Sequence, residues 1–178
     1  MQEHFDDEYV KMAQVQGYRS RAVFKLKEIN EKDNLIKSGM NIVDLGAAPG
    51  GWSQLARQLM GVHGQLIALD ILPIEPLEGV TTILGDFREE SVLNALYEQL
   101  AGAPIHLVMS DMAPNMSGNK ATDQARSIYL GELALDMARA VLAKQGTFCR
   151  PYQGGRLSYP EPDRRQDRPG PAAVHRAA

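Results

Sequence analysis

The residues best suited to chemistry lie where a short apolar run ends. Asp44 closes that run, and residues 45–52 then read Leu-Gly-Ala-Ala-Pro-Gly-Gly-Trp. Gly46, Gly50 and Gly51 permit a tight turn and a close approach of backbone to a ligand. The loop is neither Gly-x-Gly-x-x-Gly nor a P-loop, and no lysine stands near it, which disfavours a phosphate ligand. An acid before such a loop suits a cationic, amino-acid-like cofactor such as S-adenosylmethionine. A tight turn without a ligand is the weaker alternative.

Three more aspartates follow apolar runs further along the chain, namely Asp70, Asp86 and Asp111. Each alone is weak evidence, because aspartate is common in loops. If the runs are parallel strands, their carboxyl ends meet at one edge of a sheet and these acids join Asp44 there. In that position Asp70 can accept hydrogen bonds from a ribose and Asp86 from an adenine amino group, with Asp111 near the sulfonium or the amine. Trp52, expected at the surface, can shield such a ligand from water.

The elements that must position these acids alternate along the chain. Apolar spacing predicts helices over 4–15, 21–32, 53–60, 89–100 and 125–143 and strands over 41–45, 65–70, 81–84 and 105–110, with a further strand beginning near 146. Such alternation predicts an α/β, Rossmann-like fold with a mostly parallel sheet and helices on both faces. Ligands of such sheets bind beyond the carboxyl ends, where the strand order reverses.

A cluster of basic residues lies before the first strand. Residues 17–27 contain Arg19, Arg21, Lys25 and Lys27, two aromatic residues and no acid, although the whole chain carries a net charge of −3. A local basic patch of this kind can contact phosphates even on an acidic protein. A solvated helix face is the alternative interpretation.

Length and composition limit the remaining possibilities. The chain has 178 residues, which fits one domain, and its one cysteine, Cys149, excludes an intrachain disulfide. No apolar run is long enough to span a bilayer, and the N-terminus does not read as a signal peptide. We therefore expect a cytoplasmic protein without a metal site or a membrane partner, and a monomer.

Five stretches of the sequence together resemble a known family. They are Gln-Glu-His-Phe at 2–5, Arg-Ser-Arg-Ala-Val-Phe-Lys-Leu at 19–26, the glycine loop with Asp44, Gly-Asp-Phe at 85–87, and Ser-Asp-Met-Ala-Pro-Asn-Met-Ser-Gly at 110–118. This set resembles the FtsJ (RrmJ) family, which consists of S-adenosylmethionine-dependent ribose 2′-O-methyltransferases. The similarity extends almost unbroken from Gln2 to about Cys149.

The resemblance implies roles for individual residues. Cofactor-binding positions of the family correspond to Gly50, Trp52, Asp70, Asp86 and Asp111. Lys25 corresponds to the first catalytic lysine and Asp111 to the catalytic aspartate. The implied substrate is a uridine ribose of ribosomal RNA within the large subunit. Arg19 and Arg21 would then contact RNA phosphates.

The resemblance ends near Arg150. The family carries a second catalytic lysine on the strand after the long helix and a glutamate on a later strand. Here residues 147–150 read Thr-Phe-Cys-Arg, no lysine follows Lys144, and Glu161 stands between two prolines. We therefore expect an incomplete methyltransferase domain over 1–149, without the C-terminal strands, and an irregular, disordered tail rich in Arg and Pro over 150–178.

The composition of the tail favours a frameshift in the gene over a natural C-terminal extension. A shift of reading frame near codon 150 accounts for a tail that interrupts the fold, whereas a natural RNA-binding tail would follow a complete fold. Re-reading the coding DNA in the other two frames tests this hypothesis. We expect weak stability and little methyl transfer from this chain. The alternative function is a non-catalytic RNA-binding or ribosome-assembly module that retains the cofactor fold.

Overall fold

Helices and strands alternate along the chain as the apolar patterns predict. The computed structural model describes residues 2–114, 117–151 and 172–176. The helices are α1 (Gln2–Val15), α2 (Val23–Asp33), α3 (Gly51–Met60), α4 (Glu90–Leu100) and α5 (Lys120–Val141). The strands are β1 (Ile42–Leu45), β2 (Leu66–Asp70), β3 (Thr81–Leu84), β4 (Ile105–Ser110), β5 (Leu142–Pro151) and β6 (Ala172–Arg176).

The strands form one sheet in the order β3-β2-β1-β4-β5-β6. Strands β1 to β5 run parallel to one another, and β6 pairs antiparallel with β5. The predicted mostly parallel α/β sheet is therefore confirmed. The strand order reverses at β1 and β4, so the loops that follow these two strands separate and leave a crevice between them.

Apolar side chains cover both faces of this sheet, which confirms the predicted layers. Successive residues of a strand point to opposite faces, so Ile42 packs on one side of β1 and Val43 on the other. The Ile42 side carries the buried residues of α2 and α3, including Leu26 and Leu55. The Val43 side carries those of α4 and α5. The sheet is thus fixed between two helical layers.

The N-terminal helix leaves several of its apolar side chains exposed. Ala13 is buried, but Tyr9 and Met12 are 47% and 42% exposed. The ring of Tyr9 lies 5.5 Å from that of Phe24, which is itself only half-buried on α2. Helix α1 therefore contacts the outer side of α2 at this point.

The end of the chain differs from the prediction in two places. Strand β5 follows α5 directly and includes Arg150 and Pro151. Pro151 is the last residue of the strand, where a missing N–H leaves the pairing upstream intact. Strand β6 also lies in the segment predicted to be irregular, so the expectation of a strandless tail is corrected there. The predicted disorder of 152–171 and of the last two residues falls outside the described residues.

Candidate functional site

A cavity of about 250 Å³ opens at the crevice where the strand order reverses. The loop after β1 lines one side of it, and residues 20–22, which precede α2, line another. Asp44 and Asp111 contribute from the carboxyl ends of β1 and β4. The location agrees with the position predicted from the sheet topology.

The glycine loop owes its shape to residues that tolerate a left-handed backbone. Gly46 has φ +72°, and a Cβ there would overlap the side chain of Met112 in the loop after β4. Gly50 has φ +104° and caps the N-terminus of α3. A Cβ on Gly51 would overlap Ser20. The three glycines therefore let the loop pack closely against its neighbours at the cavity wall.

Asp44 is a buried acid in the cavity lining. Its side chain is only 1% exposed and accepts a hydrogen bond of 2.6 Å from the hydroxyl of Ser53 on α3. Burial raises the pKa of Asp44 to about 7, and the charges of Asp111 and Asp70 act in the same direction, while Ser53 opposes them. A carboxylate in this position favours a cationic ligand, which would compensate its charge.

Lys25 and Asp111 form an ion pair at the cavity. The ammonium of Lys25 lies 3.3 Å from each carboxylate oxygen of Asp111, although α2 and β4 are far apart in sequence. The Lys25 side chain is half-exposed, whereas that of Asp111 is 16% exposed. Burial raises the pKa of Asp111, and the charges of Lys25 and Arg150 oppose that rise. The pair brings a cation and an acid together at one end of the cavity.

Asp70 connects two loops at the same edge of the sheet. Its carboxylate accepts hydrogen bonds from the backbone N–H of Ala48, at 2.9 Å, and of Leu72, at 2.8 Å. The first donor belongs to the glycine loop and the second to the loop that follows β2. Asp70 therefore links the cavity-lining residue Ala48 to the loop after β2, and its predicted contact with a ribose stays a prediction.

Asp86 is engaged with a neighbour that the sequence reasoning did not consider. The guanidinium of Arg88 lies against both of its carboxylate oxygens, with Nε at 2.9 Å from each. This pairing lowers the pKa of Asp86. Asp86 lies outside the lining of the cavity described above. An adenine contact by Asp86 would therefore compete with Arg88 for the same oxygens.

Trp52 is buried rather than exposed, which corrects the expectation from the sequence. It is 3% exposed, and its Nε1 donates a hydrogen bond of 2.7 Å to the carbonyl of Ala22. The indole therefore joins α3 to the segment that precedes α2 and forms part of the cavity wall. The position is that of a supporting residue, so the structure does not place Trp52 as a cover over a ligand.

The two arginines predicted to contact RNA occupy different environments. Arg19 is half-buried, and its guanidinium donates to the carbonyls of Pro49, Glu75 and Pro76. Arg21 is exposed and lines the cavity mouth. The guanidinium of Arg19 is therefore engaged with backbone, which weakens its assignment as a phosphate contact. The assignment of Arg21 stays a prediction.

Sequence reasoning missed two side chains that hold site acids in place, Ser53 and Arg88. The second had a local signal, since Arg88 follows Asp86 by two residues. Ser53 is nine residues from Asp44, and only the return of α3 over β1 brings it near.

Within the described part of the chain, no cluster of three His, Cys, Asp or Glu side chains could hold a metal ion. None of the described helices could span a membrane.

The fold is similar to that of known structures. A crystal structure from Plasmodium falciparum, provisionally assigned as a ribosomal RNA methyltransferase, is 28% identical with a TM-score of 0.71 and covers 78% of this chain and 80% of its own. Two proteins provisionally assigned as hemolysins, from Lactococcus lactis and Streptococcus thermophilus, have TM-scores of 0.53 and 0.51 at 19% and 18% identity. They cover 75% of this chain, and 57% and 43% of their own, and at that identity they show the fold alone.

A family profile extends over most of the described residues. The FtsJ-like methyltransferase profile matches residues 18–156, which include the basic residues from Arg19 to Lys27, the glycine loop and the four aspartates at the carboxyl ends of the strands. The resemblance seen in the sequence motifs is thereby confirmed. This chain belongs to the FtsJ-like methyltransferase family.

Proposed function

We propose that this protein binds S-adenosylmethionine and methylates the 2′-hydroxyl of a uridine ribose in 23S ribosomal RNA of the large subunit. The observation that carries the proposal is the Lys25–Asp111 pair at a cavity on the switch point of the sheet. The Plasmodium neighbour, provisionally assigned as a ribosomal RNA methyltransferase, supports the choice of RNA. We further propose that the protein acts as a monomer in the cytoplasm and contributes to rRNA processing during ribosome biogenesis.

The cavity suits a cationic donor without phosphates. Asp44 and Asp111 are both mostly buried, and burial raises the pKa of each, so a positive charge beside them relieves an electrostatic cost. The glycine loop presents backbone rather than lysine side chains. When bound, S-adenosylmethionine supplies a methyl group activated on its sulfonium. Asp44, Asp111, Trp52 and the Gly50 turn would hold it, with Asp70 and Asp86 towards its nucleoside end.

The chain's own residues can prepare the ribose hydroxyl for attack. The ammonium of Lys25 is oriented by both oxygens of Asp111, which lines the cavity, and the lysine side chain remains half-exposed. As the ammonium, Nζ can stabilise the negative charge that develops on the 2′-oxygen, and only as the neutral amine can it accept the hydroxyl proton. Much of the acceleration comes from holding the two reactants in line.

The basic segment gives the RNA a path to this pair. Arg21 lies at the cavity mouth, and the exposed Lys25 follows one turn later on α2, whereas the ammonium of Lys27 lies over the Tyr18 ring. A phosphate on Arg21 would place the neighbouring ribose near Lys25. RNA rather than DNA is the substrate because only RNA offers the 2′-hydroxyl.

A second candidate, the non-catalytic module, is favoured by one specific observation on β5. The family carries a lysine on this strand, whereas Arg150 here donates to the carbonyl of Ser127 at 2.6 Å and to its hydroxyl at 3.1 Å. The guanidinium is thus anchored on α5. We therefore expect slow transfer by this chain, and the second candidate retains donor and RNA binding without turnover.

Titration calorimetry followed by a transfer assay separates these possibilities. The folded protein should bind S-adenosylmethionine and its demethylated product in a one-to-one complex. Incubation with large ribosomal subunits and labelled donor should then place label on a ribose 2′-oxygen, detected as an alkali-resistant dinucleotide. Donor binding without any label under single-turnover conditions supports the non-catalytic module. A folded protein that binds neither donor nor product contradicts the proposal.

A further inference from the structure

The guanidinium of Arg19 joins two loops at the donor side of the sheet. Its Nη1 donates to the carbonyl of Glu75 at 2.6 Å and to that of Pro49 at 3.3 Å. Its Nη2 donates to the carbonyl of Pro76 at 2.8 Å. Pro49 belongs to the glycine loop and lines the cavity, while Glu75 and Pro76 belong to the loop after β2. One side chain therefore holds two loops that are separated along the chain by α3 and β2.

The backbone of the same residue is anchored to α3. The N–H of Arg19 donates to the side-chain carbonyl of Gln54 at 3.1 Å, and the amide of Gln54 donates back to the carbonyl of Gly17 at 2.8 Å. A Cβ on Gly50 would lie 3.2 Å from Nη1 and 3.3 Å from Cδ of Arg19. The arginine stem thus packs against the turn that starts α3, and its position is fixed at both ends.

These contacts complement the brace formed by Asp70. That carboxylate holds the N–H groups of Ala48 and Leu72, whereas Arg19 holds carbonyls of the same two loops. The Asp70 carboxylate thereby pairs with N–H groups, and the Arg19 guanidinium pairs with carbonyls, of the glycine loop and of the loop after β2. If both loops enclose the donor, their separation depends on both side chains.

We propose that Arg19 is a positioning residue of the donor pocket, which fixes the glycine loop against the loop after β2, and that it is not a phosphate contact. This inference rests on the proposed function, because it assumes that the cavity binds the donor. The planar guanidinium fork is required, since a single lysine ammonium at the end of a flexible stem does not reproduce its geometry towards three carbonyls. Charge alone therefore does not replace Arg19.

A second arginine provides a matched control. Arg57 donates to the carbonyls of His63 at 2.9 Å and Gly79 at 3.1 Å, near the amino-terminal ends of β2 and β3. It has the same chemistry as Arg19 but lies away from the cavity lining. Replacing either arginine by lysine removes a carbonyl clamp and keeps the charge, so only the location of the clamp differs.

The test measures donor and RNA binding separately in Arg19→Lys, Arg19→Ala, Arg57→Lys and the unchanged protein. Calorimetry with S-adenosylhomocysteine gives the donor-site Kd, and fluorescence anisotropy with a uridine-containing RNA loop at several salt concentrations gives the RNA Kd. We expect both Arg19 variants to raise the donor-site Kd about tenfold or more, as the loss of charge-assisted hydrogen bonds implies. Arg57→Lys should lower the melting temperature while changing the donor-site Kd less than about twofold.

The outcomes distinguish positioning from phosphate contact. An unchanged donor-site Kd in Arg19→Ala, together with weaker RNA binding and a salt slope reduced by about one, overturns the proposal in favour of a phosphate contact. If the Arg19 variants do not fold, Gln54→Met replaces them in the test. This substitution removes the side-chain oxygen that accepts from the Arg19 N–H, and Gln54 lies outside the cavity lining. It should raise the donor-site Kd more modestly. Failure of the proposed function is recognised separately, because the unchanged protein then binds no S-adenosylhomocysteine.

Discussion

The ammonium of Lys25 lies 3.3 Å from both carboxylate oxygens of Asp111, a residue 86 positions further along the chain. The pair joins α2, which precedes the sheet, to the carboxyl end of β4 in its centre. Because Asp111 is mostly buried, the lysine both relieves its charge and is itself held in one orientation. The contact therefore brings the basic segment next to the carboxyl ends of the central strands.

Removal of the Lys25 amine should therefore affect transfer more than donor binding. In Lys25→Met the stem remains, but no Nζ is present to accept the hydroxyl proton or to stabilise the oxyanion. We expect the single-turnover rate on large ribosomal subunits to fall by about 10²–10⁴, with the donor Kd changed by less than about threefold because the donor cation can take over the compensation of Asp111.

Lys32→Met is the control for charge loss on the same helix. Lys32 is exposed in the last turn of α2 and should leave the transfer rate within about twofold, as surface substitutions usually do. Equal rates in Lys25→Met and the unchanged protein contradict the assignment of Lys25. Enzyme excess over RNA keeps the measurement possible even when transfer is slow.

The sequence predicted the site to the extent that it depends on strands and their ends. Alternating apolar runs located β1 to β4, and parallel topology then placed Asp44, Asp70, Asp86 and Asp111 at one edge of the sheet. These features follow from short-range periodicity and a general rule about parallel sheets. Only the residues nearest in the chain are needed to recognise them.

The environment of each side chain could not be predicted in the same way. The Trp52 indole is buried because α2 returns over α3, which brings the carbonyl of Ala22 to it across 30 positions. Arg19 meets Glu75 across 56 positions. Such contacts depend on how loops pack in three dimensions, and polarity or charge in the sequence gives no sign of their partners.

Donor affinity should depend on pH through Asp44. In the free protein the pKa of Asp44 is raised to about 7 by burial. A cationic donor lowers that pKa, so the complex binds fewer protons than the free protein and the affinity rises with pH up to about 7, then levels off. Calorimetry between about pH 5.5 and 8, in buffers of different ionisation enthalpy, should detect proton release below pH 7.

The control for this pH dependence is Asp44→Asn, which keeps an oxygen for the Ser53 hydroxyl but cannot ionise. Its donor affinity should be lower above pH 7 and nearly constant with pH. A pH profile that Asp44→Asn leaves unchanged would assign the titration to another group and sink this role for Asp44.

The same substitution should alter stability in a pH-dependent manner. The pKa of Asp44 is about 7 in the folded chain against 3.8 for an unperturbed aspartate. Between these values the folded state binds more protons than the unfolded state, so the free energy of unfolding falls as pH rises. Asp44→Asn removes this loss, and its free energy of unfolding relative to the unchanged protein should increase by about 2–3 kcal/mol from pH 5 to pH 8.

Urea denaturation at both pH values provides this measurement. The difference between the two proteins at each pH matters, since other groups contribute equally to both slopes. A constant difference across the range shows that burial of Asp44 does not govern the pH dependence of stability. Ser53→Ala offers a second check, because loss of its hydrogen bond should move the transition to higher pH.

Gly46 should tolerate no side chain, because a Cβ there would collide with a neighbour in addition to straining the backbone. Gly46 and Gly39 have similar positive φ values of +72° and +78°, but a Cβ on Gly39 meets nothing within 4 Å, whereas one on Gly46 overlaps Met112. Gly39→Ala should cost about 1 kcal/mol of stability and leave the donor Kd unchanged. Gly46→Ala should cost more and raise the donor Kd about tenfold or more, because the loop must move.

The double variant Gly46→Ala with Met112→Ala makes the collision itself measurable. Shortening Met112 removes Cγ, the atom that the new Cβ would overlap, and leaves the Cα and Cβ of residue 112 at 3.3 Å, so part of the donor affinity should return. A coupling energy near zero between the two substitutions contradicts the proposed overlap, since residues in direct contact are normally non-additive.

The single tryptophan of the chain allows its burial to be observed without any ligand. Because Trp52 is 3% exposed, its fluorescence should be blue-shifted and resistant to iodide quenching until the protein unfolds. Trp52→Phe should reduce stability by about 1–3 kcal/mol, since it removes the 2.7 Å hydrogen bond and leaves the Ala22 carbonyl without that donor. If Trp52 covered a ligand instead, iodide would quench the free protein readily and S-adenosylhomocysteine would protect it. Strong quenching in the folded, ligand-free protein therefore contradicts the supporting role and restores the one expected from the sequence.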